Sequence, residues 1–149
     1  MKIFFSVRYY CRLSLFDPEK FSVSIGKRVL DKKLVPNGAI SVYSANVMEP
    51  FGFIDKLPIT DSSVPSVLWG IDGDWMTSYI PEEKEFYPTD HCGVLRCKTP
   101  DVNPRYLVHI FEVEGKKMDF SRSFLPVKSC VVELLRHPFR HDGVFLLVL

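Results

Sequence analysis

Asp90-His91-Cys92 is the run whose residue types most directly invite covalent chemistry: a thiol nucleophile, an imidazole base and a carboxylate to orient it. The spacing argues against it. Neighbours in an extended strand point to opposite faces, so a base adjacent in sequence does not face the thiol. A cysteine-dependent enzyme built on Cys92 would need a histidine from elsewhere in the chain. The competing expectation is structural, with Thr89 and Asp90 as turn hydrogen-bonders, His91 packed or capped, and Cys92 buried. His91, Cys92, Cys97 and His109 match no zinc spacing. Asp72 and Asp74 around Gly73 supply half of a calcium loop, but Trp75 and Met76 offer no oxygen ligands, so a hairpin turn is expected. GxGxxG, GxxxxGK[ST], GxSxG and HExxH are absent, as is an Asn-Pro-Pro-Tyr-like methyltransferase run. No catalytic group, metal or cofactor is therefore assigned.

What remains are polar and basic clusters suited to binding rather than bond-making. They are Lys27-Arg28, Lys32-Lys33, Ser44 and Asn46 within Tyr43-Ser44-Ala45-Asn46, Arg96 within Arg96-Cys97-Lys98, and Ser121-Arg122-Ser123. Lys and Arg reach phosphates or guanine, Asn binds adenine bidentately, and Ser is permissive. Each cluster alone is the composition of an ordinary solvated surface; their recurrence in expected loops favours a binding reading.

The totals bound the class. The 149 residues suit one domain or one domain with a short appendage, and the 46% hydrophobic and 25% charged composition can fill a core. Net charge is +1, yet its distribution is uneven. Residues 1–60 carry nine Lys/Arg against five Asp/Glu, residues 61–95 one against seven, and residues 96–149 nine against six. An acidic middle thus lies between two basic flanks, and a fold that gathers the flanks presents a patch that steers polyanions. The four cysteines, Cys11, Cys92, Cys97 and Cys130, form no CxxC pair. Arg8 and Arg12 interrupt any secretory apolar run, and no stretch approaches the roughly 20 apolar residues of a membrane span. A cytoplasmic protein with free or buried thiols is expected.

The elements that must position these residues are mostly strands. Residues 1–20 suit an edge strand, a poorly ordered start or an upstream remnant. Phe21 to Ile25 alternates apolar and polar, a half-buried strand ending at Gly26. Pro36-Asn37-Gly38 is a turn. Residues 39–45 have strand character, and Phe53-Ile54 begins a short strand. Val67 to Ile71 reads as an interior strand, and residues 75–80 return as its hairpin partner. Residues 86–92 read as irregular, and Gly93 to Cys97 as the next strand. Asn103-Pro104 opens a helix, with Asn as the N-cap and Pro in the first turn. Its apolar face is Tyr106, Leu107, Ile110, Phe111 and Val113; Glu112 and Lys116 pair at i, i+4; Gly115 ends it. Ser129 to Leu135 reads as a final strand, and Val144 to Leu149 as an apolar tail without a partner.

Several segments together resemble one target recognition domain of the DNA-specificity subunit of type I restriction-modification systems. They are Phe21 to Leu30, Gly38 to Val47, Pro50 to Ile54, Ser66 to Gly73, Thr89 to Arg96, Asn103 to Leu107, and Phe120 to Ser123. The order of these segments carries the resemblance, over about residues 20–138. It implies an α/β (α+β) domain with a curved, mostly antiparallel sheet region, one main helix at about residues 104–115 and a few short helices.

The organisation implied is a lead-in at 1–20, a recognition domain at 21–138 and an atypical tail at 139–149, as in a truncated or half-length subunit. The function implied is non-catalytic reading of half of a split site in double-stranded DNA. Partner subunits would carry the chemistry: an adenine methyltransferase with its S-adenosylmethionine, and a restriction subunit that is motor and nuclease. Pairing of two copies would restore a split-site reader. The DNA contacts expected from residue chemistry and loop position are Lys27, Arg28, Lys32, Lys33, Ser44, Asn46, Arg96, Ser121, Arg122 and Ser123. The alternatives are a cysteine-dependent enzyme using Cys92 and a protein-interaction remnant that no longer binds DNA.

Overall fold

The computed structural model describes residues 9–15, 17–55, 61–118, 131–136 and 144–146. The central sheet has four strands: β2 (Phe21–Ile25), β5 (Ser66–Gly70), β6 (Thr77–Ile80) and β8 (Cys92–Cys97). They lie in the order β2-β8-β5-β6, antiparallel throughout. Side chains alternate across this sheet. Val67, Trp69 and Leu95 enter one apolar cluster, while Leu68, Val94 and Cys92 enter another. Both faces of β5 are therefore covered, which is why its sequence is a continuous apolar run rather than an alternating one.

Helix α1 (Pro104–Met118) covers the first face. Asn103 caps it: its Oδ1 accepts the Arg105 N–H at 3.0 Å. Val102, just before the cap, and Leu107 share a core cluster, the arrangement of a hydrophobic staple. Leu107, Ile110 and Phe111 form the buried stripe. Glu112 and Lys116 pair at 2.8 Å as the i, i+4 spacing predicts.

The helix does not stop at Gly115 but continues to Met118. Glycine is there for another reason: a Cβ on Gly115 would collide with the Trp75 indole. The same indole donates its Nε1–H to the Phe111 carbonyl at 2.7 Å, and Thr77 Oγ1 reaches the Val108 carbonyl at 3.3 Å. The β5–β6 hairpin is thus bonded sideways to the helix.

The second face is covered by a smaller sheet of β3 (Ile40–Tyr43), β4 (Gly52–Ile54) and β7 (Phe86–Pro88), in the order β4-β3-β7. Residues 86–88, expected to be irregular, are a strand. Phe86 is buried beside Tyr43, Val47 and Leu68, and β7 runs parallel to β3. This is the one parallel pairing in a mostly antiparallel α+β fold among the described residues.

A third sheet joins β1 (Tyr9–Ser14), β9 (Val131–Arg136) and β10 (Val144–Leu146), with β9 central. Residues 144–146, expected to lack a partner, pair with β9 from Val144↔Arg136 to Leu146↔Leu134. Among the described residues there is one α-helix, and the 3-10 turn Asp31–Lys33 is the one short helix.

Candidate functional site

Antiparallel register decides which loops meet. Ile25 pairs with Gly93 and Gly70 with Cys92, so the exits of β2 and β5 and the entrance of β8 share one edge. The exit of β3 joins them, because Tyr43 pairs with Pro88 and the Thr89 N–H donates to the Tyr43 carbonyl at 2.8 Å. The Lys27 N–H donates to the Pro88 carbonyl at 3.1 Å. A Cβ on Gly26 would strike the Pro88 carbonyl, and one on Gly70 would strike the Ala45 carbonyl, so the backbones are in close contact. Four segments therefore converge: Gly26 to Arg28, Ser44 to Asn46, Gly70 to Asp74, and Thr89 to His91.

The basic segment after β2 is pinned by apolar side chains. Val29 and Leu34 pack on the cluster of Ile40, Val42 and Ile54, and the Val35 N–H bonds to the Phe53 carbonyl at 2.8 Å. Lys27, Arg28, Lys32 and Lys33 are exposed along it. Among the described residues none of the four has an ion-pair partner. Four charges on an anchored backbone, with no carboxylate paired to them among the described residues, suit a polyanion.

Ser44 and Asn46 lie at the edge where this segment begins, near Lys27 and Arg28, with partly committed side chains. The Ser44 hydroxyl accepts from Thr89 Oγ1 at 3.0 Å. The Asn46 carboxamide oxygen accepts the Met48 N–H at 3.0 Å, while the residue stays exposed.

Arg96 is elsewhere. Its register partners are Ser22 and Ser66, at the opposite end of the central sheet. Its side chain is only 12% exposed and its Nη2 lies 3.0 Å from Asp61 Oδ2. Expected as a DNA contact, Arg96 lies within strand β8, as its sequence pattern predicts, and its side chain ties Asp61 to the sheet. Ser121, Arg122 and Ser123 lie outside the described residues.

The converging edge also holds a feature with no local sequence signal. His91 Nδ1 meets Asp72 Oδ2, and His91 Nε2 lies 3.8 Å from Asp90 Oδ1. Expected to be packed or capped, His91 is instead half-exposed between two carboxylates. The cause is tertiary: the β5 exit and the β7–β8 turn are 19 positions apart and meet only through sheet register. Thr89 does act as a turn bonder, its Oγ1 accepting the His91 N–H at 3.3 Å.

Cys92 is fully buried, and burial pushes its thiol up to about 12. A nucleophilic cysteine needs the opposite, a depressed pKa and access. The thiol's one hydrogen-bond partner among the described residues is the Gly93 carbonyl at 3.6 Å. Cys92 is thus a core residue, and the cysteine-enzyme alternative fails on it. Among the described residues no group of three metal-ligating side chains is assembled, and no helix is long and apolar enough to cross a membrane.

The chain matches no protein-family model and no curated protein. Among solved structures it is similar to the crystal structure of a type-I restriction-modification system S subunit from M. genitalium, with a TM-score of 0.59 and 11% sequence identity. The match covers 91% of this chain and 36% of that one, so the chain spans little more than a third of the S subunit's length. At that identity the likeness is one of fold.

Proposed function

We propose that this chain is a sequence-specific, non-catalytic DNA recognition module of type I restriction-modification kind. The observation that carries the reading is the gathering of Lys27, Arg28, Lys32 and Lys33, unpaired among the described residues, on one anchored segment that starts at the edge holding Asn46. The S-subunit-like fold supports the same conclusion.

In this reading the four cations hold phosphates and set the register on the duplex, and Asn46 reads base edges. Ser44 contributes through the Thr89 bond that fixes its loop. Ser121, Arg122 and Ser123 add a second set of contacts. Arg96 serves the fold. The recognition unit spans residues 21–138, flanked by 1–20 and 139–149, and works in the cytoplasm. It directs an adenine methyltransferase and a motor-nuclease subunit to a half-site, and a second copy of the chain supplies the other half.

The test is selection of bound duplexes from a random-sequence pool at increasing salt, followed by sequencing. Enrichment of a short motif, with affinity falling linearly in log salt, is expected. Failure to retain any duplex at low salt, alone or with a partner methyltransferase, overturns the reading in favour of a protein-interaction remnant.

A further inference from the structure

The loop joining β3 to β4 exposes two large apolar side chains, Met48 at 64% and Phe51 at 54%. Exposed apolar residues scattered singly need no explanation, but these are not scattered. Phe51 and Phe53, two apart, lie on the side of β4 away from buried Ile54, and Val35 is hydrogen-bonded beside Phe53.

The loop is anchored at both ends. Val47 is fully buried among Tyr43, Leu68 and Phe86. The Met48 N–H is held by Asn46 Oδ1, and the Phe51 N–H donates to the Val42 carbonyl at 2.7 Å. Met48 and Phe51 are therefore presented to solvent by a fixed backbone rather than by a loose tip. The segment from Lys27 to Val35 runs alongside, joined to the loop's base at Lys27 through Pro88 and Tyr43 and to its far side at Val35 through Phe53. An apolar tip beside a row of cations that are unpaired among the described residues is complementary to a duplex, whose phosphates flank stacked apolar bases.

We propose that Met48 and Phe51 form a wedge that enters between base steps of duplex DNA and unstacks them while the flanking cations hold the phosphates. This rests on the DNA-binding reading above and adds a deformation step to it. Part of the selectivity is then read as the ease of opening a step rather than as base-edge hydrogen bonds.

The experiment compares a random-sequence duplex with the same duplex carrying a central T·T mismatch, where the unstacking cost is already partly met. The wild-type chain is expected to prefer the mismatched duplex by about tenfold. Met48→Ser with Phe51→Ser replaces exposed side chains, so the fold is retained, which a thermal melt checks. That double variant is expected to bind both duplexes equally while keeping the wild-type salt slope. Lys27→Ala with Arg28→Ala is expected to weaken both duplexes alike and preserve the preference.

Equal wild-type affinity for the two duplexes, or a preference that survives in the double serine variant, overturns the wedge while leaving DNA binding standing. Binding to neither duplex overturns both readings together.

Discussion

Thr89 Oγ1 donates to Ser44 Oγ across 3.0 Å, joining the β7–β8 turn to the exit of β3, although the two residues are 45 positions apart. The same oxygen accepts the His91 N–H. One buried hydroxyl thus fixes both the proposed reading loop and the turn beside it. Thr89→Val keeps the shape and removes both bonds, at a cost of about 1–2 kcal/mol. The urea midpoint is expected to fall with little change in m, and Thr89→Ser to retain most of the stability.

The four exposed cations set the salt dependence of DNA binding if each meets a phosphate. Replacing Lys27, Arg28, Lys32 and Lys33 by Ala is expected to flatten the log affinity against log salt slope by about 3 to 4. Titrations by fluorescence anisotropy at several salt concentrations measure it. An unchanged slope would place the phosphate contacts on another surface.

Gly115 sits inside a helix, where alanine is ordinarily better by about 1 kcal/mol. The Trp75 indole occupies the space a Cβ would take. Overpacking of this kind costs about 1–3 kcal/mol, so packing wins over propensity and Gly115→Ala is expected to destabilise the fold. Trp75→Leu in the same chain should recover part of the loss, and a double-mutant cycle by chemical denaturation reads the coupling.

Asp61 links acid stability to Arg96. The Ser63 backbone N–H, and next the Arg96 guanidinium, hold its carboxyl down at about 2 against an ordinary 3.8. A depressed folded-state pKa contributes stability that is present above the unfolded value and is lost as pH falls through the folded one. The difference in stability between wild type and Asp61→Asn should therefore be constant above about pH 5 and shrink toward pH 2. Thermal melts of both proteins across that range check it. A gap that persists at pH 2 would mean that the substitution removes something other than charge.

Cys92 and Cys97 are both buried, and burial pushes both thiols up to about 12. In the native protein at pH 8, mass spectrometry after iodoacetamide should find both unmodified, and denaturant should expose both to alkylation. Rapid native alkylation of Cys92 would reopen its reading as a nucleophile.

Local pattern made much of this fold legible. The strict alternation of Phe21 to Ile25, the apolar run before Gly70 and the Asn103-Pro104 start each announce an element through its own few residues, because caps and side-chain periodicity are local physics. Buried Cys92 and the Glu112–Lys116 pair belong to the same class. The basic residues of 27–33 were legible as a cluster, though not as a surface.

What only the tertiary structure decided depends on partners far away in sequence. Gly115 reads as a helix stop until Trp75 is laid against it. Residues 86–88 carry no clear strand pattern because their order comes from pairing with β3. Val144 to Leu146 looks unpartnered until β9 is beside it. The proposed site follows the same rule. The chain carries its cations, its serine and its asparagine as separate surface clusters; antiparallel register between β2, β5 and β8, with the parallel pairing of β3 and β7, sets the loops of Lys27-Arg28 and of Ser44 and Asn46 on one edge while sending Arg96 to the other. Composition determined which groups were available; sheet pairing determined which of them can act together, because register is a long-range property that no window of neighbouring residues contains.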